Sequence, residues 1–271
     1  MILPELPEVE TTRRGIEPFL IRDLIESIEV RNGRLRWPVS LEIYHLGSQQ
    51  VRQVLRRGKY IILEFDKGAI IIHLGMSGSM RIEYANSELK KHDHVIFYLS
   101  SEWQIRFNDP RRFGSVLWSD SWREHKLIQR LGPEPLSDDF DIEYLYSLAK
   151  QRKLAVKQFI MNSHIVVGVG NIYANEALFL ANIHPKRAVN RISKKRMEVL
   201  VAKIKLVLAN AIQQGGTTLR DFVGTDGKPG YFQQQLFVYG RGGEPCKHCG
   251  EELKESRMNN RATVFCSKCQ L

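Results

Sequence analysis

Apolar residues follow two different periods along the chain, and the change of period divides it. Tyr60-Ile-Ile-Leu-Glu-Phe65 and Ala69-Ile-Ile-Ile-His-Leu74 flank Asp66-Lys67-Gly68, a turn composition that predicts a β-hairpin. Ser79–Tyr84, Asp93–Leu99, Trp103–Phe107 and Ser115–Trp118 also read as strands, and short strands at such close spacing predict a sandwich or barrel. One helix precedes them, from about Glu8 to Leu20, with Val9, Thr12, Ile16 and Leu20 on one face and Pro7 suited to its first turn. Leu131-Gly-Pro-Glu-Pro135 reads as a linker, and beyond it the spacing turns helical. Ile142, Leu145, Tyr146 and Ala149 fit one helix, and Leu178 with its neighbours after Asn171 fits another. The longest helix follows Ser193 as N-cap, carries Met197, Leu200, Val201, Ile204, Leu208, Ala211 and Ile212 on its stripe, and ends at Gly215-Gly216. The Gly-rich segment Thr217–Tyr231 is expected to be irregular and mobile.

Composition narrows the partner. Of 271 residues, 43% are hydrophobic and 26% charged, which fits a soluble globular protein long enough to bury a core without disulfide staples. Forty Lys and Arg against 30 Asp and Glu give a formal charge of +10, which favours a polyanion: nucleic acid first, an acidic membrane second. A merely basic enzyme stays open. The longest apolar run, Ala69–Ile72, is far too short to span a bilayer. The start turns acidic at Glu5, Glu8 and Glu10 and lacks the basic and apolar segments of a secretory signal, so a cytoplasmic protein is expected.

The four cysteines form two knuckles, Cys246-x2-Cys249 and Cys266-x2-Cys269, sixteen residues apart. This spacing matches a ribbon in which each knuckle gives two thiolates to one structural Zn2+ and the residues between form a hairpin. Two redox pairs or an iron–sulfur site are the alternatives. His248, inside the first knuckle, reads as a solvated turn residue, and Lys254, Arg257 and Arg261 put cations on the hairpin.

Several further motifs point to one family. Pro4-Glu-Leu-Pro-Glu-Val-Glu10 resembles the amino terminus of bacterial formamidopyrimidine-DNA glycosylases. The resemblance continues in Arg56-Arg-Gly-Lys-Tyr60, His73-Leu-Gly-Met-Ser-Gly78, Lys91-His-Asp-His94 and Asp109-Pro-Arg-Arg-Phe-Gly114. It runs on through Leu131–Pro135, Val167-Gly-Val-Gly-Asn-Ile-Tyr173, Gly215–Phe222, Asp226–Phe232 and the cysteine ribbon. It implies an α+β multidomain protein: an N-terminal β-sandwich with a leading helix (1–134), a helix–two-turn–helix domain (135–240) with a lesion-capping loop (217–231), and a zinc-finger hairpin (241–271). It also implies damaged double-stranded DNA held between the two halves of a monomer associated with the bacterial nucleoid, and excision of 8-oxoguanine and ring-opened purines followed by strand cleavage.

The resemblance assigns roles residue by residue. Pro4 is the nucleophile: its secondary amine can form an iminium that draws electrons from the sugar and drives β-elimination, and an α-amine with a pKa of about 8 is partly unprotonated at neutral pH. Glu5 is the acid–base partner and Glu8 orients the sugar or the amine. Lys59 carries a proton in β-elimination, and Arg261 belongs to δ-elimination, where a guanidinium serves better as a phosphate clamp than as an acid. Met76, Arg111 and Phe113 are the wedge that fills the gap left by the flipped base. His92, Arg112, Arg152, Lys157 and Asn171 are phosphate contacts, and Thr217, Arg220 and Tyr231 belong to the lesion loop. Without the resemblance, Glu5 reads as a helix-start carboxylate, Lys59 as a solvated strand-edge lysine and Phe113 as a core ring.

One departure bears on the chemistry. Ile2 and Leu3 stand between Met1 and Pro4, so the Pro4 nitrogen as written is a tertiary amide whose lone pair is delocalised into a carbonyl. Either the start is extended, or processing exposes Pro4, or the protein binds lesions without lyase chemistry. A zinc-ribbon module of transcription or translation is a third class of reading, one that gives the wedge residues no purpose.

Overall fold

A computed structural model describes residues 4–215, 219–223, 229–230 and 236–271, with 219–223 and 229–230 in their main chain alone. Thr217 and Tyr231 lie outside the described residues, as do Met1, Ile2 and Leu3, and of Arg220 only the main chain is described. The chain groups into two units, Met1–Gln129 with Gln214–Gln233, and Arg130–Gln213 with Gln234–Leu271.

The first unit opens with α1 (Leu6–Arg22), which begins at Leu6 rather than Glu8 because Pro7 lacks an N–H that a first turn leaves unpaired anyway. Val9, Thr12, Ile16 and Leu20 are buried, as their spacing predicts. Then come β1 (Leu24–Val30), α2 (Leu41–Tyr44), β2 (Gln49–Gln50), β3 (Gln53–Arg57), β4 (Tyr60–Glu64), β5 (Ala69–His73), β6 (Ser79–Tyr84), β7 (Asp93–Leu99), β8 (Trp103–Asn108), β9 (Ser115–Ser119) and α3 (Lys126–Gln129). Antiparallel pairing gives two sheets, in the orders β2-β1-β7-β8-β6 and β3-β4-β5-β9. The expected hairpin is β4–β5, in register from Tyr60 opposite His73 to Glu64 opposite Ala69. Three strands escaped the sequence reading for local reasons, the two-residue β2 because it is too short to carry a pattern. The alternation of β1 breaks at an irregularity between Ile25 and Ser27, and β3 carries Gln53, Arg56 and Arg57 among its five residues.

One apolar core draws on both sheets and on α1. Ile61, Leu63, Ile70, Ile72 and Val116 come from the four-stranded sheet, Ile28, Val95, Phe97, Ile105 and Phe107 from the other, and Ile16 and Leu20 from the helix. The unit is therefore a β-sandwich with a leading helix packed into its core.

The second unit contains α4 (Ile142–Lys150), α5 (Val156–Ile160), α6 (Asn171–Leu180) and α7 (Lys194–Gln213). Asp141 caps α4, its Oδ1 accepting the Tyr144 N–H at 2.8 Å, and the Ser193 hydroxyl accepts the Arg196 N–H at the start of α7 at 3.4 Å. Every residue from Asn171 to Phe179 is buried, which makes α6 the centre of this unit rather than an amphipathic surface helix. After α7 the chain returns to the first unit, where the main chain forms β10 (Leu219–Val223) and β11 (Pro229–Gly230), an antiparallel pair within the segment expected to be irregular. Backbone pairing tolerates glycine where no side-chain periodicity announces it. Last in the second unit come β12 (Lys254–Met258) and β13 (Arg261–Phe265), the hairpin between the cysteine knuckles, joined by Asn259-Asn260 with φ of 48° and 59°. Asparagine tolerates that left-handed pair of conformations better than most residues. Among the described residues no helix is long and apolar enough to cross a membrane.

Because Phe97 is completely buried between the two sheets, Phe97→Ala is expected to destabilise the first unit by about 3–5 kcal/mol. Urea unfolding followed by tryptophan fluorescence checks it.

Candidate active site and nucleic-acid interface

The start of α1 is built from carboxylates. Glu8 Oε2 accepts the Glu5 N–H at 2.9 Å, and the Glu5 carboxylate in turn meets the Glu8 N–H, a reciprocal cap that fixes the backbone directly after Pro4. Glu5 is only 2% exposed. Glu8, expected to orient a sugar or an amine, thus has one oxygen committed to the Glu5 amide. One helical turn on, Glu10 accepts from Arg13, from Arg14 at 2.8 Å and from Arg56 at 3.0 Å. Burial opposes ionisation of Glu10, but the hydrogen bonds and charges of these arginines outweigh it and hold its carboxyl below the usual range. Arg56 also donates to the carbonyl of Gly58 at 3.0 Å. Gly58 (φ 58°) and Lys59 form the two-residue turn between β3 and β4, so this chain of contacts ties the turn that carries Lys59 to α1.

A second constellation surrounds Asp109, which is wholly buried. Its carboxylate accepts the Ser77 hydroxyl at 2.6 Å, the Gly114 N–H at 2.7 Å and the Arg111 N–H at 3.3 Å. Its own N–H donates to the His92 carbonyl at 3.0 Å, and its carbonyl meets His94 Nε2 at 2.9 Å. One residue thereby joins the Met76 loop, the 110–114 loop and the segment bearing His92. At Gly75 (φ 66°) a side chain would run into the Phe113–Gly114 backbone, so glycine is required where the two loops touch. Arg111, Arg112 and Phe113 are exposed, Phe113 by 42%, and the Arg111 guanidinium lies over the Phe113 ring at 4.9 Å. Met76 is half-buried. The three expected wedge residues thus come from two adjoining loops. His73, at the end of β5, accepts the Gly75 N–H on Nδ1 at 3.0 Å. Its pKa is lowered to about 4, first by burial and then by the charges of Lys59 and Arg36, with Asp109 opposing.

The second unit holds the remaining expected contacts. Asn171 opens α6 after Gly170, and its Nδ2 donates to the Ala262 carbonyl at 3.1 Å, while its Oδ1 is buried without a hydrogen-bond partner among the described residues. Lys157, expected at a phosphate, is instead buried at 1% exposure, and its ammonium donates to the Ala262 carbonyl at 2.9 Å and to Thr263 Oγ1 at 2.8 Å. The hairpin backbone has taken the place of the solvent-facing anion, because a buried ammonium needs acceptors and Ala262 and Thr263 supply them. Arg152 also turns inward: it donates to the Leu148 carbonyl and lies over the Phe159 ring at 5.9 Å. Asn175 Oδ1 accepts the Val264 N–H at 3.0 Å. With Lys157 and Asn171, it docks β13 on the helices and fixes the backbone beside Arg261, whose side chain is exposed.

The four cysteine sulfurs lie within 4.8 Å of one another. Two pairs are 3.5 Å (Cys249–Cys266) and 4.0 Å (Cys246–Cys269) apart. A tetrahedral ion with Zn–S bonds of about 2.3 Å has sulfurs about 3.8 Å apart, so the donor set fits one such metal and leaves no open position. The His248 ring lies 4.7 Å from Phe179 and 5.4 Å from Phe237; it is exposed yet packed, not simply solvated.

The sequence reading missed Asp109, Ser77, Asn175 and Thr263 as organising residues. A polar residue whose only task is to hold a loop leaves little periodic signal; Asp109 alone, ahead of Pro110 at a strand end, had turn chemistry to flag it.

Residues 3–116 match the formamidopyrimidine-DNA glycosylase N-terminal domain, residues 131–223 the formamidopyrimidine-DNA glycosylase H2TH domain, and residues 243–271 the zinc finger found in FPG and IleRS. The formamidopyrimidine-DNA glycosylases of Stutzerimonas stutzeri and Photobacterium profundum are each 55% identical, over 269 and 268 residues, covering 99% of this chain and all of each relative. A complex of the Lactococcus lactis protein Fpg with abasic-site DNA superposes with a TM-score of 0.90 at 32% identity, over 98% of this chain and 99% of that one. The MutM (Fpg) protein of Thermus thermophilus gives 0.87 at 34% identity, over 98% of both chains.

Two outcomes are expected. Stripping the metal with a chelator should release one ion per chain and make the four thiols reactive, as a thiol titration reads. The second concerns His73. Unfolded, it titrates near 6.5 rather than 4, so between these values the unfolded chain binds a proton that the folded chain refuses. Stability therefore falls as pH drops through that window, by at most about 3 kcal/mol. His73→Gln should remove this part of the slope in urea unfolding at pH 5 and pH 7.

Proposed function

The chain belongs to the formamidopyrimidine-DNA glycosylase family, a DNA glycosylase of base excision repair, and from that premise we propose that it excises oxidised purines from duplex DNA and then cuts the strand by amine-catalysed elimination. The observation that carries this reading is the buried, reciprocally capped Glu5–Glu8 pair directly after Pro4, tied through Glu10, Arg56 and Gly58 to the turn of Lys59.

In this reading the Pro4 nitrogen attacks the anomeric carbon as the base leaves, and the resulting iminium acidifies the neighbouring sugar position. Glu5 exchanges protons with the sugar and amine from a site shielded from water. Lys59 moves the proton of β-elimination, and Arg261 holds the phosphate that departs. The base must first leave the stack, at a cost of a few kcal/mol, and Met76, Arg111 and Phe113 occupy the gap. Asp109 acts through them, as a positioning residue. His92, Arg112 and Asn171 hold phosphates, Asn171 at a helix N-terminus. Arg152 and Lys157 support the helical scaffold. Cys246, Cys249, Cys266 and Cys269 hold one structural Zn2+, which when bound fixes the hairpin under Arg261. Arg220 and the rest of the 217–231 segment cap the lesion, and the protein acts as a monomer in the cytoplasm.

The lyase step requires release of the Pro4 nitrogen from its peptide bond to Leu3. Protein that begins at Pro4 is expected to nick DNA at 8-oxoguanine and to be trapped covalently by borohydride. Protein that retains the Leu3–Pro4 bond is expected to bind the same duplex selectively with neither outcome. Intact mass alongside the trapping assay decides it; trapping of the longer form would sink the assignment of Pro4. Met76→Ala is expected to slow excision from an intact duplex by roughly 10–100-fold while leaving cleavage of a preformed abasic site nearly unchanged, as single-turnover rates on the two substrates test.

A further inference from the structure

Beyond the C-terminal end of α6, the connection to α7 builds a basic concavity of about 560 Å3, lined by His184, Lys186, Arg187, Arg191, Gln270 and Leu271 among others. None of its lining side chains is acidic, and the one anion there, the α-carboxylate of the last residue Leu271, is engaged by Arg196 at 2.9 Å. Lys186 and Arg191 are exposed and their side chains have no ion pair among the described residues. The Nε of Arg187 is buried without a hydrogen-bond acceptor among the described residues. A buried guanidinium nitrogen left without an acceptor is uncommon, because desolvation is normally answered by a partner.

The frame around these cations is rigid. The Arg187 carbonyl accepts the Val156 N–H at 2.8 Å and the Pro185 carbonyl accepts the Lys157 N–H at 3.2 Å, which clamps the connection to α5. Arg196 donates to the Asn182 carbonyl at 2.7 Å and to the terminal carboxylate of Leu271 at 2.9 Å, so it holds the rim and leaves Lys186, Arg187 and Arg191 to face the concavity. The His184 ring packs edge-on against Phe265 at 4.5 Å, and its Nδ1 accepts the Lys186 N–H at 3.2 Å, so Nε2 carries the proton and is a donor. Burial first, and then the charges of Lys186 and Arg187, lower the pKa of His184. Asn171 lies at the opposite end of α6, about 15 Å away for ten residues of helix. Arg261 and Phe265 are likewise the opposite ends of β13.

We propose that this concavity is a second phosphate-binding site, separate from the contacts at Asn171 and Arg261, taking either the backbone of another nucleic-acid segment or a free phosphate-bearing molecule. Arginines suit it because their planar donors pair two at a time with phosphate oxygens. The site needs no glycosylase or lyase chemistry, so binding assays test it whether or not Pro4 is the nucleophile.

The test uses the full chain with Lys186→Glu and Arg191→Glu combined, both at exposed positions. In one arm, the salt dependence of binding to a long undamaged duplex is measured; the log–log slope is expected to become shallower by about 2 if two phosphates are lost. In the other, inorganic phosphate is titrated while the His184 ring resonances are followed; the wild type is expected to saturate and the variant not to respond. A loss in the first arm assigns the site to nucleic acid, and a loss in the second alone assigns it to a free phosphate. Unchanged behaviour in both overturns the proposal. Excision from a short lesion duplex should stay within about twofold; a parallel loss there would show that the substitutions act on the lesion site and overturn the claim of a separate one.

Discussion

A wholly buried carboxylate, Asp109, is the point on which the exposed loops of the first unit depend. In the Met76 loop and the 110–114 loop Met76 is only half-buried and Phe113 is exposed, so burial of these side chains does not hold the loops. Asp109 holds both by accepting Ser77 Oγ, Arg111 N–H and Gly114 N–H, while its own backbone is held by His92 and His94. Burying an ionised carboxylate costs several kcal/mol unless hydrogen bonds replace its water, and here three donors do. The same bonds that offset its desolvation keep Arg111 and Phe113 exposed together, which apolar packing would not.

The second unit solves the same problem with amides and one ammonium. Lys157, Asn171 and Asn175 all bond the backbone of β13, and Glu176, buried in α6, accepts three successive N–H groups of Phe237, Val238 and Tyr239 at 2.8–2.9 Å. Burial raises the pKa of Glu176, and those backbone bonds oppose the rise. The cysteine ribbon is thus held from outside by hydrogen bonds and from inside by thiolates suited to a metal. Its apolar cluster of Phe179, Val238, Leu253 and Val264 borrows Phe179 from α6. A module this small lacks the area to fold on its own, which explains why its polar supports are so numerous.

Much of the fold was legible residue by residue. The β4–β5 hairpin, the stripe of α1, the Ser193 start of α7 and the two cysteine knuckles follow from period, turn chemistry and spacing, all local properties of the chain. Strands β1 and β3 were not legible, because a bulge breaks one pattern and charge masks the other. The pair β10–β11 was hidden because its hydrogen bonds are made by backbone alone. Among the site residues, the motifs led to Pro4, Lys59, Met76 and Arg261, yet no motif told which cations face solvent. Lys157 belongs to the interior and Arg152 is half-buried against Leu148 and Phe159, while Lys186 and Arg191, which no motif marked, stand exposed beside a concavity.

The amino-acid sequence by itself determined the sandwich-forming strands, the helical second half, the four-thiolate donor set and the family, since each rests on residue types at short, fixed separations. Only the tertiary structure decided which polar groups act on one another: Asp109 on Ser77 across 32 positions, Lys157 on Ala262 across 105. A lysine's charge is the same at every position in a sequence. Whether it meets water, a carbonyl or a phosphate depends on what the fold brings within about 3 Å of it.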